Sequence, residues 1–223
     1  MGNIKAVLFD LDGTLLDNYD VYFCAWSYVL NQYGVRLTKK EFYAHGGISH
    51  QNMLKMFLKD KYDELQKENK INCATKQLLE KCCCILPGKS NIMPYARETL
   101  FALKANGIKI AIVSATPKKI VEQGIDLLDV RNIIDFYISN EDVIDHKPHP
   151  ECYLLAKNKY RLKAKECIVI EDSPAGINAG KRAKMNVIAV KGMCDEEKIK
   201  SAKPNYIFNN LKEIGEMIIR LNE

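Results

Sequence analysis

The stretch of sequence that decides the fold is IKAVLFDLDGTL, residues 4–15. Its first half, residues 4–9, is a short apolar run with branched side chains, which is typical of a buried β-strand. Two carboxylates, Asp10 and Asp12, follow at once, and Gly13 favours a turn after them. In a parallel sheet, ligands bind beyond the carboxyl ends of the strands, so this acid pair is a candidate site for a cation and a reacting group. Taken alone, the same pattern is also typical of a capping turn.

Five more apolar runs of the same kind follow along the chain. They are residues 108–113, 133–138, 167–170, 187–190 and 206–208. Helical patterns of ordinary length separate these later runs, and one of them stops at Gly107, directly before a run. This alternation predicts parallel βαβ units and therefore an α/β fold with a doubly wound parallel sheet.

The interval between the first run and the second is too long for a simple crossover, because a βαβ unit needs only about 30 residues. Residues 19–86 contain no convincing strand, and their apolar side chains follow helical spacing. The pair Pro87-Gly88 and the polar stretch before Pro94 are typical of a return linker. The predicted division is a catalytic core, residues 1–17 and 88–223, and a helical insertion, residues 18–87.

Polar side chains follow the second and third runs as well. Ser114 comes directly after the second run and offers a hydroxyl to a bound anion near the acid pair. Thr116 and Pro117 fit the N-cap and the first residue of the next helix. Lys147 lies on a loop that prolines stiffen, so its ammonium group is suited to bind phosphate as a compact point charge.

A second acid pair, Glu171 and Asp172, follows the fourth run, and Ser173 is suited to cap the next helix. Acids at a helix start also complement the helix dipole, so this pair alone has two readings. Four successive strand ends thus carry an acid pair, a hydroxyl, a lysine and a second acid pair. Such a combination is hard to obtain by chance. The oxygens of the two pairs are the ligands that Mg²⁺ prefers.

In this combination the sequence resembles the haloacid dehalogenase superfamily of phosphotransferases. Its four motifs occur in order as residues 9–15 (FDLDGTL), Ser114, Lys147 in a K-P-x-P-x-x-Y pattern, and Glu171-Asp172-Ser173 with Gly176. The resemblance extends over residues 4–208 and implies a Rossmann-like core with a helical cap inserted after the first motif. The chain looks most like phosphoglycolate phosphatases, sugar-phosphate phosphatases and β-phosphoglucomutases.

Two positions depart from the family pattern. Tyr95 and Lys184 stand where the family usually has glycine. Both positions lie away from the four motifs, so these departures concern local backbone geometry and leave the predicted chemistry intact.

The resemblance also implies a role for each motif residue. Asp10 is the nucleophile that forms an aspartyl-phosphate, and Asp12 is first the acid for the leaving group and then the base for water. Ser114 and Lys147 bind the phosphoryl oxygens. The implied function is a Mg²⁺-dependent phosphatase that acts on a small phosphorylated metabolite. The implied ligands of Mg²⁺ are Asp10, the backbone carbonyl of Asp12, Asp172 and, as a helper, Glu171.

A phosphomutase of the β-phosphoglucomutase type is the alternative reading. The mutase cap has an arginine after a Gly-x-Ser element, whereas here Gly47-Ile48-Ser49 precedes His50. A neutral histidine does not reproduce a permanently charged, forked donor, so the phosphatase is favoured. His50 and Gly47 are the candidate substrate residues of the cap, the part of this architecture that carries specificity; a structural turn is an equally good interpretation of this stretch.

A phospho-acceptor signalling domain is a third reading, since it also combines a strand-end Asp, a hydroxyl and a Lys. In such a domain the phosphorylated aspartate is the signal, so the acyl phosphate has to persist. Asp12, directly beside the nucleophile, is instead suited to activate the water that removes the phosphoryl group.

Composition excludes several other classes. The net charge of +5 comes from 33 basic and 28 acidic residues, and the pI of 8.6 is below the ~9 that is typical of nucleic-acid-binding domains. No apolar run approaches the ~18 residues of a bilayer-spanning helix, and the N-terminal stretch does not resemble a signal peptide. Eight cysteines without a paired framework fit a reducing cytoplasm. We therefore expect a cytoplasmic protein with no nucleic-acid or membrane partner; no pattern indicates its oligomeric state.

Overall fold

The structure is a computed structural model that describes residues 3–44, 50–192 and 194–222. The chain divides into a first unit, Met1–Asp17 with Asn91–Glu223, and a second unit, Asn18–Ser90.

A six-stranded parallel sheet forms the centre of the first unit. In chain order, the strands of the described residues are β1 (Ala6–Phe9), β2 (Leu16–Asp17), β3 (Asn91–Ile92), β4 (Lys109–Val113), β5 (Phe136–Ile138), β6 (Cys167–Glu171), β7 (Asn186–Val190) and β8 (Tyr206–Phe208). The large sheet has the order β5-β4-β1-β6-β7-β8, and each neighbouring pair is parallel. The predicted α/β fold is confirmed. The antiparallel pair β2-β3 was not predicted.

Helices make up the second unit as far as it is described. They are α1 (Tyr19–Gln32), α2 (Lys39–Ala44), α3 (His50–Leu58), α4 (Asp60–Lys67) and α5 (Lys70–Lys89). Trp26 of α1 is buried, and its ring packs edge-on against that of Phe57 at a centroid distance of 6.3 Å. This part of the chain is helical, as the apolar spacing predicted.

The Pro87-Gly88 part of the predicted linker is wrong, because both residues lie within α5. The backbone N–H of Ser90 still donates to the carbonyl of Leu86 at 3.0 Å, so helical hydrogen bonding continues past the proline. The second unit ends at Ser90, three residues beyond the predicted end at residue 87.

Helices cover both faces of the large sheet. They are α6 (Ala96–Ala105), α7 (Lys118–Leu128), α8 (Glu151–Tyr160), α9 (Pro174–Arg182), α10 (Glu196–Ala202) and α11 (Leu211–Arg220). Alternate residues of β1 enter different clusters: Val7 and Phe9 pack with residues of α6, α7 and α11, whereas Ala6 and Leu8 pack with residues of α8, α9 and α10. A strand buried on both sides reads as a continuous apolar run, as residues 4–9 do. Among the helices of the described residues, none has the length and apolarity to cross a bilayer.

Tyr95 and Lys184 adopt the backbone conformation that glycine favours. Their φ angles are +64° and +60°. The departures from the family pattern therefore leave the backbone in the left-handed region, which a side chain makes less favourable.

Candidate active site

The predicted motif residues meet at one edge of the large sheet. Asp10 follows β1, Ser114 follows β4 and Asp172 follows β6, and these three strands are neighbours. All run in the same direction, so their carboxyl ends bring residues that are distant in the sequence to one place. Asp10, Ser114 and Asp172 are 7%, 2% and 1% exposed.

Lys147 joins this edge from the loop after β5. Its Nζ atom donates hydrogen bonds to Oδ1 of Asp10 at 2.6 Å, Oε1 of Glu171 at 2.7 Å and the carbonyl of Val113 at 2.9 Å. An ammonium has three protons, so the protein itself accepts all of them. Its Nζ also lies 5.1 Å from the centre of the Tyr153 ring. The lysine is thus held against the predicted nucleophile.

Glu171 is buried and its two oxygens accept five hydrogen bonds. Besides Lys147, the hydroxyl of Tyr153 donates to Oε1 at 2.9 Å. Oε2 accepts from the backbone N–H of Asp172 at 3.2 Å, from that of Ser173 at 3.1 Å and from the Ser173 hydroxyl at 2.9 Å. This carboxylate therefore ties the lysine loop to the start of α9, where Ser173 is the N-cap, as predicted.

A glycine makes this arrangement of Glu171 fit. A Cβ atom built on Gly176 would lie 1.6 Å from Oε1 and 1.9 Å from Cδ of Glu171. The backbone of α9 and the carboxylate of Glu171 therefore lie closer together than any side chain at position 176 would allow.

Asp172 differs from Glu171 in its surroundings. Its Oδ2 is buried and has no hydrogen-bond partner among the described residues. Gly13, at φ +86°, permits the close approach, since a Cβ there would lie 2.0 Å from this oxygen. Carboxylate oxygens of Asp10, Glu171 and Asp172 come within 4.8 Å of one another. A buried carboxylate oxygen without a donor, next to further carboxylates, suits a hard divalent cation.

The charges of these groups shift one another's proton affinity. Burial, followed by the negative charge of Glu171, raises the pKa of Asp10 to about 8, although Lys147 opposes the shift. Burial, with Asp10 and Glu171, raises the pKa of Asp172 well above its usual range. Burial disfavours the charged form of Lys147, but Asp10 and Glu171 outweigh it and raise the pKa of the ammonium. With all three carboxyl groups ionised, the cluster would carry more negative charge than one lysine offsets, so a bound cation would compete with protons for these oxygens.

Asp12 lies next to two hydroxyl groups from the loop after β4. Its Oδ2 accepts hydrogen bonds from the Ser114 hydroxyl at 3.3 Å and from the Thr116 hydroxyl at a shorter distance. The predicted N-cap role of Thr116 is wrong: Pro117 holds that position, outside α7. The hydroxyl of Thr116 is engaged with Asp12 instead.

Two residues of this site were not predicted to act in it. Tyr153 closes the K-P-x-P-x-x-Y pattern, which was its only sequence signal, and it lies on the buried face of α8. Thr116 did have a sequence signal, because it places a second hydroxyl two residues after Ser114. The same residue type also fits a helix N-cap, which is how it was interpreted.

The two candidate substrate residues of the insertion stay predictions. Gly47 lies outside the described residues. His50 is the first residue of α3.

Comparison with known proteins places the chain among enzymes. A family model described as haloacid dehalogenase-like hydrolase matches residues 7–190. The chain is 27% identical to a phosphorylated carbohydrates phosphatase of Thermotoga maritima, over 95% of this chain and 100% of that protein. It is 25% identical to a pyrophosphatase of Oceanobacillus iheyensis, over 95% of each. The solved structure of a β-phosphoglucomutase from Clostridium difficile is similar with a TM-score of 0.82 and 25% identity, over 97% of both chains.

Proposed function

The chain belongs to the haloacid dehalogenase-like hydrolase family, and on that basis we propose that it is a Mg²⁺-dependent phosphatase of a small phosphate monoester. The observation that carries the proposal is the contact of Lys147 with Asp10 beside Oδ2 of Asp172, an oxygen that accepts no hydrogen bond from the residues the structure describes. This arrangement combines a carboxylate nucleophile, a fixed positive charge and a place for a cation, which are the groups that an attack on a phosphate dianion requires.

The proposed reaction has two steps at phosphorus. An oxygen of Asp10 forms a bond to phosphorus while the bond from phosphorus to the leaving oxygen breaks, and Asp12 gives its proton to that oxygen. Asp12, now ionised, takes a proton from water, whose oxygen attacks phosphorus and releases phosphate from Asp10. A positioned acid and base contribute typically about 10²–10⁴-fold each.

The remaining residues hold charge and geometry during both steps. Lys147 stabilises the ionised form of Asp10, and Ser114 is placed to bind a phosphoryl oxygen. In phosphoryl transfer most of the catalytic effect comes from such positioning and electrostatic stabilisation.

The side chains of Asp10 and Asp172 are the proposed ligands of Mg²⁺. Glu171 supports them by fixing Lys147, since its oxygens already accept hydrogen bonds. When bound, Mg²⁺ supplies a positive charge that reduces the repulsion between Asp10 and a phosphate dianion.

Phosphate release from a substrate panel tests the proposal. The panel contains phosphoglycolate, sugar phosphates, pyrophosphate, nucleotides and flavin mononucleotide, each with Mg²⁺ and with a chelator. We expect Mg²⁺-dependent release from at least one small monoester and none from Asp10→Asn, a variant of nearly the same shape. Negligible release from the whole panel by the wild type, or release by Asp10→Asn at the wild-type rate, would contradict the proposal.

We assign the choice of substrate to the helical unit. On this assignment His50→Ala changes the order of preference within the panel, whereas a variant of exposed Lys159 in the first unit leaves the order unchanged. An unaltered order in His50→Ala would remove that residue from the substrate site.

A phosphomutase is the second candidate, because a solved β-phosphoglucomutase is among the similar structures. A mutase returns the phosphoryl group to the sugar, so it interconverts sugar phosphates in the presence of a bisphosphate primer. Conversion faster than phosphate release would favour the mutase, and release without conversion would favour the phosphatase.

A further inference from the structure

Two hydrogen bonds connect Asp12 to the loop that follows β4, and a third lies within that loop. Thr116 is 8% exposed, and its hydroxyl donates to Oδ2 of Asp12. The hydroxyl of Ser114 donates to the same oxygen at 3.3 Å, and it accepts the backbone N–H of Thr116 at 3.0 Å. The two hydroxyls and the carboxylate thus form a closed arrangement at one oxygen.

The backbone of Thr116 is fixed from its other side. Its carbonyl accepts the N–H of Asn140 at 3.0 Å. Two residues further along, the N–H of Lys118 donates to the carboxylate of Glu141 at 2.8 Å. These bonds attach the loop to the short 3₁₀ helix Asn140–Asp142. The Thr116 hydroxyl is therefore presented to Asp12 by an ordered backbone.

We propose that Thr116 is a positioning residue that orients Asp12 for proton transfer to the leaving oxygen; the inference rests on the proposed phosphatase function. The Thr116 hydroxyl keeps Oδ2 of Asp12 an acceptor, also when the single proton of the Ser114 hydroxyl is donated to a phosphoryl oxygen, so the transferable proton is carried on Oδ1. As the bond between phosphorus and the leaving oxygen breaks, that proton moves from Oδ1 to the leaving oxygen, and Asp12 is left ionised with Oδ2 still hydrogen-bonded. Thr116 acts only through Asp12 and takes no part in bond making.

The proposal predicts a dependence on the leaving group that a purely structural role does not give. A leaving oxygen of high basicity needs a proton in the transition state, whereas a weakly basic one leaves without it. Phenyl, nitrophenyl and dinitrophenyl phosphate form a series of falling leaving-group basicity and similar shape. Misplacement of the acid therefore slows the phenyl ester most and the dinitrophenyl ester least.

The experiment measures kcat/KM for the three esters with wild type, Thr116→Val and Thr116→Ser. This constant reports the first phosphoryl transfer and omits the later release from Asp10. For Thr116→Val we expect a loss on the order of 10- to 100-fold with phenyl phosphate and less than about threefold with dinitrophenyl phosphate. Thr116→Ser keeps a hydroxyl and should restore the wild-type pattern. Thr99→Val, at a buried threonine of α6, is the matched control and should leave the ratio of the two constants unchanged.

The ratio of the constants for the phenyl and dinitrophenyl esters is independent of the amount of folded enzyme, so partial misfolding does not mimic the effect. Should Thr116→Val not fold, Thr116→Ala is measured in the same way. In an Asp12→Asn background, Thr116→Val should cause no further change in the ratio.

The outcomes separate this inference from the proposed function. Equal loss for all three esters, no loss, or an unrestored pattern in Thr116→Ser overturns the role of Thr116 while the phosphatase stands. No Mg²⁺-dependent release from any ester or panel substrate by the wild type overturns the proposed function and this inference with it.

Discussion

The Nζ atom of Lys147 lies 2.6 Å from Oδ1 of Asp10, and the two side chains are only 6% and 10% exposed. The same ammonium lies 2.7 Å from the fully buried carboxylate of Glu171. One buried cation therefore holds together two carboxylates that repel each other. Removal of one partner of such a group leaves an uncompensated buried charge, which costs far more than the loss of an exposed ion pair.

Lys147→Met should therefore lower both stability and activity. We expect the free energy of unfolding to fall by about 3 kcal/mol, because two buried carboxylates lose their shared cation. Lys39→Met is the matched control: the Lys39–Asp20 pair has the same 2.6 Å distance, but both side chains are 56% exposed. Its loss should cost less than about 1 kcal/mol. Urea unfolding and phosphate release measure the two effects, and equal losses of stability would contradict the prediction.

Gly176→Ala should disturb the site without a change of charge. The new Cβ would lie 1.6 Å from Oε1 of Glu171, so the carboxylate or α9 has to move, at a cost of about 1–3 kcal/mol. Movement of Glu171 breaks its hydrogen bond with Lys147, so both the rate of phosphate release and the free energy of unfolding should fall. At Gly88 of α5, an alanine Cβ would have no atom of another described residue within 4 Å, and Gly88→Ala should raise stability by up to about 1 kcal/mol. Thermal unfolding of the two variants is the measurement. A Gly176→Ala protein with wild-type stability and activity would show that Glu171 does not need its observed position.

The strand-end residues could be predicted because they depend on the order of elements along the chain. Parallel strands end at one edge of a sheet, so Asp10 and Asp172 meet whatever the details of packing. The contact between Asp12 and Thr116 depends on side-chain geometry between residues 104 positions apart, which no local pattern contains. For the same reason the K-P-x-P-x-x-Y pattern includes Tyr153 but does not show that its hydroxyl reaches Glu171.

The limits of the fold prediction have local causes. Strands β2 and β3 have two residues each, too few for an alternating pattern to show. The pair Pro87-Gly88 is usually a break, and here it forms part of the last turn of α5, whose bonding continues to Ser90. Whether residues near the end of a helix or strand belong to it depends on their tertiary contacts more than on their residue type.

Lys184→Gly should stabilise the protein, since Lys184 has a φ of +60°. A side chain in the left-handed region costs roughly 1–2 kcal/mol, and the greater freedom of glycine in the unfolded chain offsets part of this. We expect the free energy of unfolding to rise by up to about 1 kcal/mol. The same substitution at Lys159, an exposed position of α8, should lower it by about 1 kcal/mol, so the two variants should differ in sign in thermal unfolding. Destabilisation by both would mean that the side chain of Lys184 contributes more than its backbone costs.

Glu171→Gln and Asp172→Asn should affect Mg²⁺ differently. Glu171 already accepts five hydrogen bonds, whereas Oδ2 of Asp172 has no partner among the described residues. Asp172→Asn should therefore weaken Mg²⁺ binding by about 100-fold or more, and Glu171→Gln by about tenfold with a loss of kcat through the misplaced lysine. Calorimetric titration with Mg²⁺ compares the affinities. Equal weakening in both variants would identify Glu171 as a direct ligand.

The fall of stability with rising pH should be smaller with Mg²⁺ than without it. The pKa of Asp10 is raised from 3.8 to about 8, first by burial and then by Glu171, so the folded protein binds a proton that the unfolded chain releases. Stability from this proton is complete below about pH 4 and is lost as the pH rises toward about 8. In the presence of a chelator, Asp10 should therefore lower the melting temperature as the pH rises from about 4 to about 8. Mg²⁺ competes with the proton, so the stabilisation by a fixed Mg²⁺ concentration should grow with pH, reaching about 2.7 kcal/mol at a hundredfold excess over Kd. Asp172→Asn, with its weakened site, should show little of this gain at the same Mg²⁺ concentration. A Mg²⁺-induced shift in melting temperature that is constant from about pH 5 to about pH 8 would contradict the competition between cation and proton.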